Sequence, residues 1–334
     1  MNFCKDFSQC SREAERTVRM DNYKVSVVVL TYNPDKDRLL ATLRSIVQQK
    51  NIRFQIIIAD DGSENAEFEA AERLFKKNGF IDYVLLKNQQ NQGTVRNMYS
   101  AIEKCTGTYI KSISPGDLLC GENILRMWIE AMEETGAIVS CCDAVYYVPH
   151  SDVMEPVVRK ANPQYTACYL QNRPEEARYN YLILDDLFLG AAIVCRKDVQ
   201  KEYMEEILGK VIYAEDHIYR LMAYDRVPMH YYPECGVLYE TATGISTSGS
   251  DFWRQKLKDD WDAASELLLA RCTGKDPIDR YLRRLLALPE GGLRAKLVKY
   301  LMIPKMLAYR LRCKIYPRKS NSQFPDTNEE VLWK

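Results

Sequence analysis

The sequence predicts an α/β fold with a parallel sheet buried between helices, and three patterns predict it. Runs that are typical of strands, the first two apolar enough to be buried on both faces, lie at residues 25–30, 54–60, 83–87 and 108–112. Helical stripes such as Leu39, Leu43 and Ile46 separate the strands, at residues 39–47, 67–77 and 94–104. Strands and helices that alternate in this way are typical of a doubly wound sheet with helices on both faces.

The second half of the chain is less regular. Strands are predicted at residues 137–148, 189–195 and 230–240. A helix is predicted after residues 214–217, and residues 165–181 are predicted to be a tyrosine-rich polar connection.

The composition is that of a folded protein with about two domains, or one large domain with an appendage. The chain has 334 residues, of which 46% are apolar and 28% charged, and this excludes disordered and small disulfide-stapled proteins. Lys plus Arg (46) balance Asp plus Glu (46), so no overall charge favours nucleic acid. We expect no nucleic-acid partner.

The cysteines and the N-terminal residues predict a cytoplasmic protein. The eleven cysteines are an odd number without a CxxC motif, and they include the adjacent Cys141 and Cys142, which predicts reduced thiols. Residues 1–22 are a polar leader that lacks the apolar core of a signal peptide. No apolar run reaches the ~18 residues that a membrane-spanning helix needs.

Polar loops follow three of the predicted strands, at residues 31–33, 60–63 and 114–117. Because sheets of this class bind ligands at the carboxyl ends of their strands, these loops predict a binding site at one edge of the sheet. Each loop alone is also explained as turn and cap residues, since Asn-Pro, Asp-Gly and Pro-Gly are common in turns.

The C-terminal tail is strongly basic. Residues 291–324 contain nine basic residues and no acidic one. Two apolar stripes run through this segment, one of Leu293, Leu297, Val298, Leu301 and Met302 and one of Leu307, Leu311 and Ile315. This pattern fits a kinked amphipathic helix on an anionic membrane surface, and it fits equally a helical hairpin packed on the domain with a solvated basic face.

Six motifs in order resemble the family 2 glycosyltransferases, which are inverting enzymes. They are VSVVVLTYN, IIIADDGS, NQGTVRN, GTYIKSISPGD, GAAIV and AEDHIYRL. The resemblance covers about residues 23–250. It implies a GT-A fold, which is a Rossmann-like nucleotide-binding mixed sheet flanked by helices, followed here by a helical C-terminal extension over residues 251–334.

The resemblance implies a nucleotide-binding group in the first half of the chain. Tyr32 offers a π face for a uracil-like base, and Asp60 can accept a hydrogen bond from its imide nitrogen. The other implied nucleotide-binding residues are Thr31, Asn33, Asp61 and Arg96. The structural alternatives are a half-buried loop aromatic for Tyr32, a turn former for Asp61 and a surface salt bridge for Arg96.

Asp117 is the implied metal ligand, and Mg²⁺ or Mn²⁺ is the implied cofactor, since a departing diphosphate needs its charge neutralised. The family usually has a DxD or DD motif here, but this chain has Gly116 before Asp117. The family also often has a histidine near the last loop, and residues 239–246 contain none.

Asp216 is the implied general base and Glu215 the residue that orients it or binds the acceptor, because together they match the family's ED motif. Adjacent carboxylates repel each other, which raises the pKa of one of them. The alternatives are an N-cap pair and, for the base, His217.

The resemblance implies transfer of a sugar from a nucleotide sugar, of the UDP-hexose type, to a saccharide or lipid-linked saccharide acceptor. Cell-surface or capsular polysaccharide synthesis at the cytoplasmic face of a membrane is the implied setting. The alternatives are a sugar-phosphate nucleotidyltransferase, whose glycine-rich basic signature is missing near the first strand, and a noncatalytic nucleotide-sugar-binding protein.

Overall fold

In the computed structural model, a mixed sheet of nine strands forms the centre of the part of the chain that the structure describes, residues 24–150, 153–241, 250–288 and 292–321. The strands are β1 Val25–Thr31, β2 Phe54–Asp60, β3 Tyr83–Lys87, β4 Tyr109–Ile113, β5 Leu118–Leu119, β6 Val139–His150, β7 Val153–Pro156, β8 Ile193–Arg196 and β9 Met229–Glu240. The predicted polar leader lies outside the described residues.

The sheet order is β3-β2-β1-β4-β8-β6-β9-β5, with β7 paired to β6. The first four strands are mutually parallel. Strand β8 is antiparallel to both β4 and β6, β9 is parallel to β6, and β5 is antiparallel to β9. The first half therefore has the parallel arrangement that its alternation predicts, and the second half makes the sheet mixed.

The α-helices lie around this sheet. They are α1 Lys36–Val47, α2 Phe68–Lys77, α3 Thr94–Ile102, α4 Ile124–Thr135, α5 Ala167–Leu170, α6 Pro174–Leu182, α7 Lys197–Ile207, α8 Ile218–Tyr224, α9 Asp251–Arg271, α10 Pro277–Leu286, α11 Gly292–Met302 and α12 Pro304–Ile315. None of the helices within the described residues is both long and apolar enough to cross a bilayer.

Helices pack against both faces of the sheet, and successive side chains of β1 point alternately to these two faces. Val27 and Val29 pack in one core with Leu39 and Leu43 of α1, whereas Val28 packs in a second core that includes α3. All three valines are fully buried. The apolar run at residues 25–30 is therefore a strand buried on both faces, as predicted.

Two predicted segments differ from the structure. Residues 165–181 are not a polar connection, since they contain α5 and α6, and Tyr169 and Tyr181 are buried in the core. Tyrosine buries a large ring although its hydroxyl makes the sequence look polar. Residues 189–195 are only partly strand, because Gly190–Ala192 form a 3₁₀ turn before β8.

The C-terminal helices share the core of the sheet. Ile303, Met306, Tyr309 and Cys313 are buried in the same cluster as Val28. The hydrogen bond from the Tyr309 hydroxyl to Asp186 (2.9 Å) is one of several that hold this segment. The nine described cysteines are free thiols, and all except Cys235 are buried.

Candidate functional site

Asp60, the last residue of β2, links the ends of β1 and β2. Its Oδ2 accepts hydrogen bonds from the hydroxyls of Thr31 (3.0 Å) and Ser63 (2.5 Å), and its Oδ1 accepts from the Ser63 backbone N–H (2.8 Å). The carboxylate is fully buried. A carboxylate has about four acceptor positions, and these hydrogen bonds use three of them.

The Asp61 carboxylate binds the loop that leads into α3. Its Oδ1 accepts from the Asn88 side-chain amide (2.9 Å) and the Gln92 N–H (3.0 Å), and its Oδ2 accepts from the Gly93 N–H (2.8 Å). Asp61 thus does more than form a turn, because its carboxylate holds the loop that presents the N-terminus of α3.

The remaining predicted nucleotide-binding residues lie on the two loops that these aspartates hold. Tyr32 is 54% exposed, so its ring is accessible to a base. The Asn33 N–H donates to Ser63 Oγ (2.6 Å). Arg96 is exposed in the first turn of α3, and within the described ranges it forms no ion pair with a carboxylate. The surface salt bridge considered for Arg96 is therefore not seen in that part of the chain.

The loop at residues 114–117 is held rigidly beside these strand ends. The Thr42 hydroxyl of α1 accepts from the Gly116 N–H (3.0 Å) and donates to the Asp117 carbonyl (2.8 Å). The Tyr147 hydroxyl of β6 donates to the Gly116 carbonyl. Gly116 has φ +101°, a conformation that other residues rarely adopt.

Asp117 is a buried carboxyl with a perturbed pKa. Its Oδ1 accepts from the Glu240 N–H (3.0 Å). The pKa of Asp117 is raised to about 7, mainly by loss of water on burial and in part by the Glu240 charge, while that hydrogen bond and Lys111 oppose the rise. Lys111 is itself fully buried in β4, and burial lowers its pKa to about 8.

Glu240, the last residue of β9, is not among the predicted site residues, but its side chain lies beside this loop. A Cβ added to Gly116 would lie 2.2 Å from Glu240 Oε2, so this carboxylate occupies the space where a side chain at position 116 would lie. Arg38 in the first turn of α1 forms an ion pair with Glu240. The chain thus places a second carboxylate beside Asp117 even though its motif has glycine at position 116.

The Glu215–His217 segment is a 3₁₀ turn that leads into α8. Asp216 is exposed, and a Cβ at Gly190 would lie 3.8 Å from its Oδ2. Lys111 connects this region to β4, because its ammonium donates to the Ala191 carbonyl. His217 is partly buried and lies 5.7 Å from the Trp261 ring, so it is not the freely solvated histidine of a helix surface.

Glu215 carries the pKa shift that an adjacent carboxylate pair predicts. Loss of water and the negative charges of Asp216 and Asp260 together raise the pKa of Glu215 to about 8. At pH 7 Glu215 is therefore mostly protonated, which leaves it suited to donate a hydrogen bond and unsuited to accept a proton.

Asp260, on α9, positions the segment that leads to Glu215. Its buried carboxylate accepts from three consecutive backbone N–H groups, those of Ile212 (2.8 Å), Tyr213 (2.7 Å) and Ala214 (2.9 Å). The Ile212 carbonyl in turn accepts from the Val95 N–H of α3 (3.0 Å). The C-terminal extension thus helps to build the site.

We predict that Asp260→Ala destabilises the protein by about 3 kcal/mol or more, since each buried donor left without a partner costs roughly 1–3 kcal/mol. Urea unfolding followed by circular dichroism measures this change. Asp259→Ala is the matched control, because Asp259 is an exposed neighbour on the same helix. Equal stability of the two variants would show that Asp260 does not hold the segment.

Contacts therefore connect Thr31, Asn33, Asp60 and Asp61 at the carboxyl ends of β1 and β2. Asp60 and Thr31 join these two strand ends, and Asp117 follows β4. Asp216 lies against the turn that precedes β8, the neighbour of β4. The last loop of the family motifs, at residues 239–246, lies outside the described residues from residue 242 onward.

Comparison with protein-family models gives one match, to Glycosyl transferase family 2, over residues 26–197, which is just over half of the chain. No curated protein matches the chain.

Solved glycosyltransferases share the fold at low sequence identity. Residues 1–349 of S. aureus TarS in complex with UDP-GlcNAc give a TM-score of 0.53 at 14% identity, over 86% of this chain and 76% of that chain. The mannosyltransferase PcManGT from Pyrobaculum calidifontis, in complex with GDP-Man and Mn²⁺, gives 0.54 at 14% identity, over 96% and 84%. The GT-A fold that the motifs predict is therefore confirmed, including its helical C-terminus.

Proposed function

This chain belongs to glycosyl transferase family 2, and we propose that it is an inverting enzyme that moves a sugar from a UDP-sugar to a saccharide acceptor. The observation that supports this proposal is the strand order β2-β1-β4-β8, in which Asp60 ends β2, Asp117 follows β4 and Asp216 lies near the turn before β8. The nucleotide-sugar complexes of the structural neighbours support the donor class. The family match disfavours a nucleotidyltransferase.

The donor is bound by the loops after β1 and β2. Tyr32 stacks on the uracil ring, and Asp60 accepts a hydrogen bond from the imide N–H. Thr31, Asn33 and Asp61 line the nucleoside and keep these loops in place. The exposed guanidinium of Arg96 contacts the diphosphate oxygens.

Asp117 and Glu240 fit the proposed divalent cation. The described residues include no cluster of three His, Cys, Asp or Glu side chains that could form a complete cage. Mg²⁺ and Mn²⁺ at phosphate sites need only one or two carboxylates, because substrate phosphates and water supply the other ligands. Asp117 and Glu240 would hold Mg²⁺ or Mn²⁺, which when bound neutralises charge on the leaving diphosphate.

Asp216 acts as the general base in a single displacement. It takes the proton of the acceptor hydroxyl as that oxygen bonds to the anomeric carbon and the bond from this carbon to the diphosphate oxygen breaks. Glu215, protonated at neutral pH, donates a hydrogen bond that orients Asp216 or the acceptor.

The donor class is tested by thermal shift with a panel of UDP- and GDP-sugars, each with and without Mn²⁺. We expect a UDP-sugar to raise the unfolding temperature most and Mn²⁺ to increase the shift, because a ligand that binds only the native state stabilises it. A shift from GDP-sugars alone would contradict the UDP assignment, and transfer assays with the best donor would then identify the acceptor.

We propose that the acceptor is lipid-linked and that residues 291–324 contact an anionic membrane surface. The helices pack on the domain, as the hairpin alternative requires, but they use Ile303, Met306 and Tyr309 for this. Most of the stripe residues stay exposed, with Leu301 at 82% and Ile315 at 63%, whereas Met302 is half-buried against the core. Both alternatives therefore find support, each on a different face of the tail. Leu293 has no described side chain.

We predict that Leu301→Ser lowers binding to vesicles of phosphatidylcholine and phosphatidylglycerol about tenfold, since a buried leucine contributes roughly 1.5–3 kcal/mol. Cosedimentation at low salt measures it, and binding of the unmodified protein falls at high salt. Ile81→Ser is the control, because Ile81 is also exposed (64%) but precedes β3 at the other edge of the sheet. Equal binding of both variants would contradict the membrane contact. Deletion of the tail is a poorer test, as it would uncover the core.

A further inference from the structure

A cavity of about 660 Å³ lies between α6 and α12, apart from the residues of the proposed active site. Tyr179 of α6, Lys305, Tyr309 and Arg312 of α12, and Tyr165 are among its lining residues. Three tyrosines and two cations form an amphipathic surface of a kind that can bind an anionic group.

The two cations of this cavity are held by aromatic rings and by no described carboxylate. The Lys305 ammonium lies 5.6 Å from the centre of the Tyr179 ring, and the Arg312 guanidinium lies 4.7 Å from that of Tyr165. Neither side chain forms an ion pair with a carboxylate in the described segments, and both are exposed. Their charge is therefore available to a ligand.

The carboxylates that line the cavity have cations of their own. Glu175 forms ion pairs with Arg226 and with Arg178 (3.6 Å), and Glu176 forms one with Arg173 (2.6 Å). These arginines compensate the two negative charges, so the cavity does not repel an anion strongly.

The position of the cavity on α12 relates it to the exposed apolar stripe. Successive residues of a helix are about 100° apart, so Leu307, Leu311 and Ile315 lie opposite the buried face of Met306 and Cys313. Cations flank this stripe on both sides, with Lys305 and Arg312 toward the cavity and Arg310 and Lys314 on the other side. An amphipathic helix in the interface of an anionic bilayer has this arrangement.

We propose that the cavity binds the phosphate headgroup of an anionic membrane phospholipid, with Lys305 and Arg312 as its ligands and the stripe of α12 in the acyl layer. This inference deepens the membrane contact proposed above and depends on it for its lipid. The tail would then bind the membrane through a specific headgroup site on the domain, and not only through diffuse electrostatic attraction.

The decisive comparison uses two double variants with the same change in charge, Lys305→Gln/Arg312→Gln and Lys296→Gln/Lys299→Gln. Basic residues at a membrane surface each contribute similarly to diffuse attraction, so such attraction alone predicts equal losses of about thirtyfold in vesicle binding. We expect the cavity variant to lose at least tenfold more than the other. Equal losses would overturn the proposal.

A soluble probe separates this proposal from the membrane contact itself. Dihexanoyl phosphatidic acid, kept below its micelle concentration, should bind the unmodified protein in calorimetry. It should bind Leu301→Ser equally well and the cavity variant at least tenfold more weakly. If the probe binds but vesicles do not, the membrane contact is wrong and the cavity assignment stands. If vesicles bind and the probe does not, the cavity assignment is wrong.

Ala308→Glu guards against a folding artefact, because Ala308 is an exposed residue of the cavity wall and the change removes no existing contact. The added carboxylate should repel the phosphate and weaken probe binding at least tenfold with an unchanged unfolding temperature. Full probe binding by Ala308→Glu would overturn the proposal.

Discussion

Asp216→Asn should lower the transfer rate by about 10²–10⁴-fold, the usual contribution of a general base. The amide matches the carboxylate in shape but cannot take the proton of the acceptor hydroxyl. Since the proposed donor contacts lie on other loops, donor affinity should change less than about threefold. Steady-state kinetics with the best UDP-sugar and a calorimetric titration of the donor measure the two quantities. Full turnover by this variant would remove Asp216 from its assigned role.

Glu215→Gln is the matched control for this prediction. Because the pKa of Glu215 is raised to about 8, its carboxyl is mostly neutral at pH 7 and resembles the amide. Transfer at pH 7 should therefore stay within about threefold of that of the unmodified protein. If Glu215→Gln lost as much activity as Asp216→Asn, Glu215 would share the role of base.

The raised pKa of Glu215 also predicts a pH dependence of stability. The folded protein holds this proton more tightly than the unfolded chain, whose value is near 4.5, so the free energy of unfolding falls as pH rises from about 4.5 to about 8. Glu215→Gln has no carboxyl at this position, so it lacks this fall in the free energy of unfolding. Relative to the unmodified protein, it should become more stable between pH 5 and pH 8 in urea unfolding, and a parallel pH profile would contradict the shift.

The strands of the first half could be predicted because their information is local. Residues 25–30 and 54–60 are apolar over their whole length, and such runs are typical of strands with both faces covered. The polar loop that follows each strand then places the candidate site at the carboxyl edge. The six ordered motifs supplied the mixed topology that periodicity alone did not predict.

The missed residues depend on contacts between distant parts of the chain. Glu240 meets Asp117 across 123 residues, and only the pairing of β9 with β5 and β6 brings them together. Asp260 lies in the extension, and no local pattern indicates that its carboxylate would accept from backbone N–H groups 46 to 48 residues earlier. Polar residues whose partners are set by tertiary structure carry no periodic signal.

The tail shows a different reason for a partial prediction. From the sequence pattern alone, the leucine stripe is the face of the tail that is expected to make contacts. In the structure, α12 packs on the domain through Met306, Tyr309 and Cys313. Tyrosine and cysteine count as weakly apolar in a sequence pattern, but both are often buried in cores. The leucine stripe was then left exposed, and this gives the membrane proposals their basis.

Asp117→Asn should lower the affinity for Mn²⁺ in the presence of UDP by about 10²-fold or more, and Glu240→Gln by about tenfold. Asp117 is the carboxylate aligned by the strand-end loop, whereas Glu240 must share its charge with Arg38. Electron paramagnetic resonance of Mn²⁺ measures binding without any transfer reaction. Glu234→Gln is the control, since Glu234 is an exposed carboxylate of the same strand and should leave the affinity unchanged.

The same experiment tests the perturbed pKa of Asp117. A carboxyl must lose its proton before it binds a metal ion, and the pKa of Asp117 is raised to about 7. Below that value each unit of pH should therefore change the Mn²⁺ affinity by about tenfold, and above it the affinity should level off. Since an ordinary aspartate would be almost fully ionised throughout, an affinity that is flat from pH 5.5 to 8 would contradict the raised pKa of Asp117. The fall in metal affinity at low pH also affects the enzyme. Donor binding through the metal would weaken as the pH falls below neutral, whereas Glu215 stays protonated over the same range.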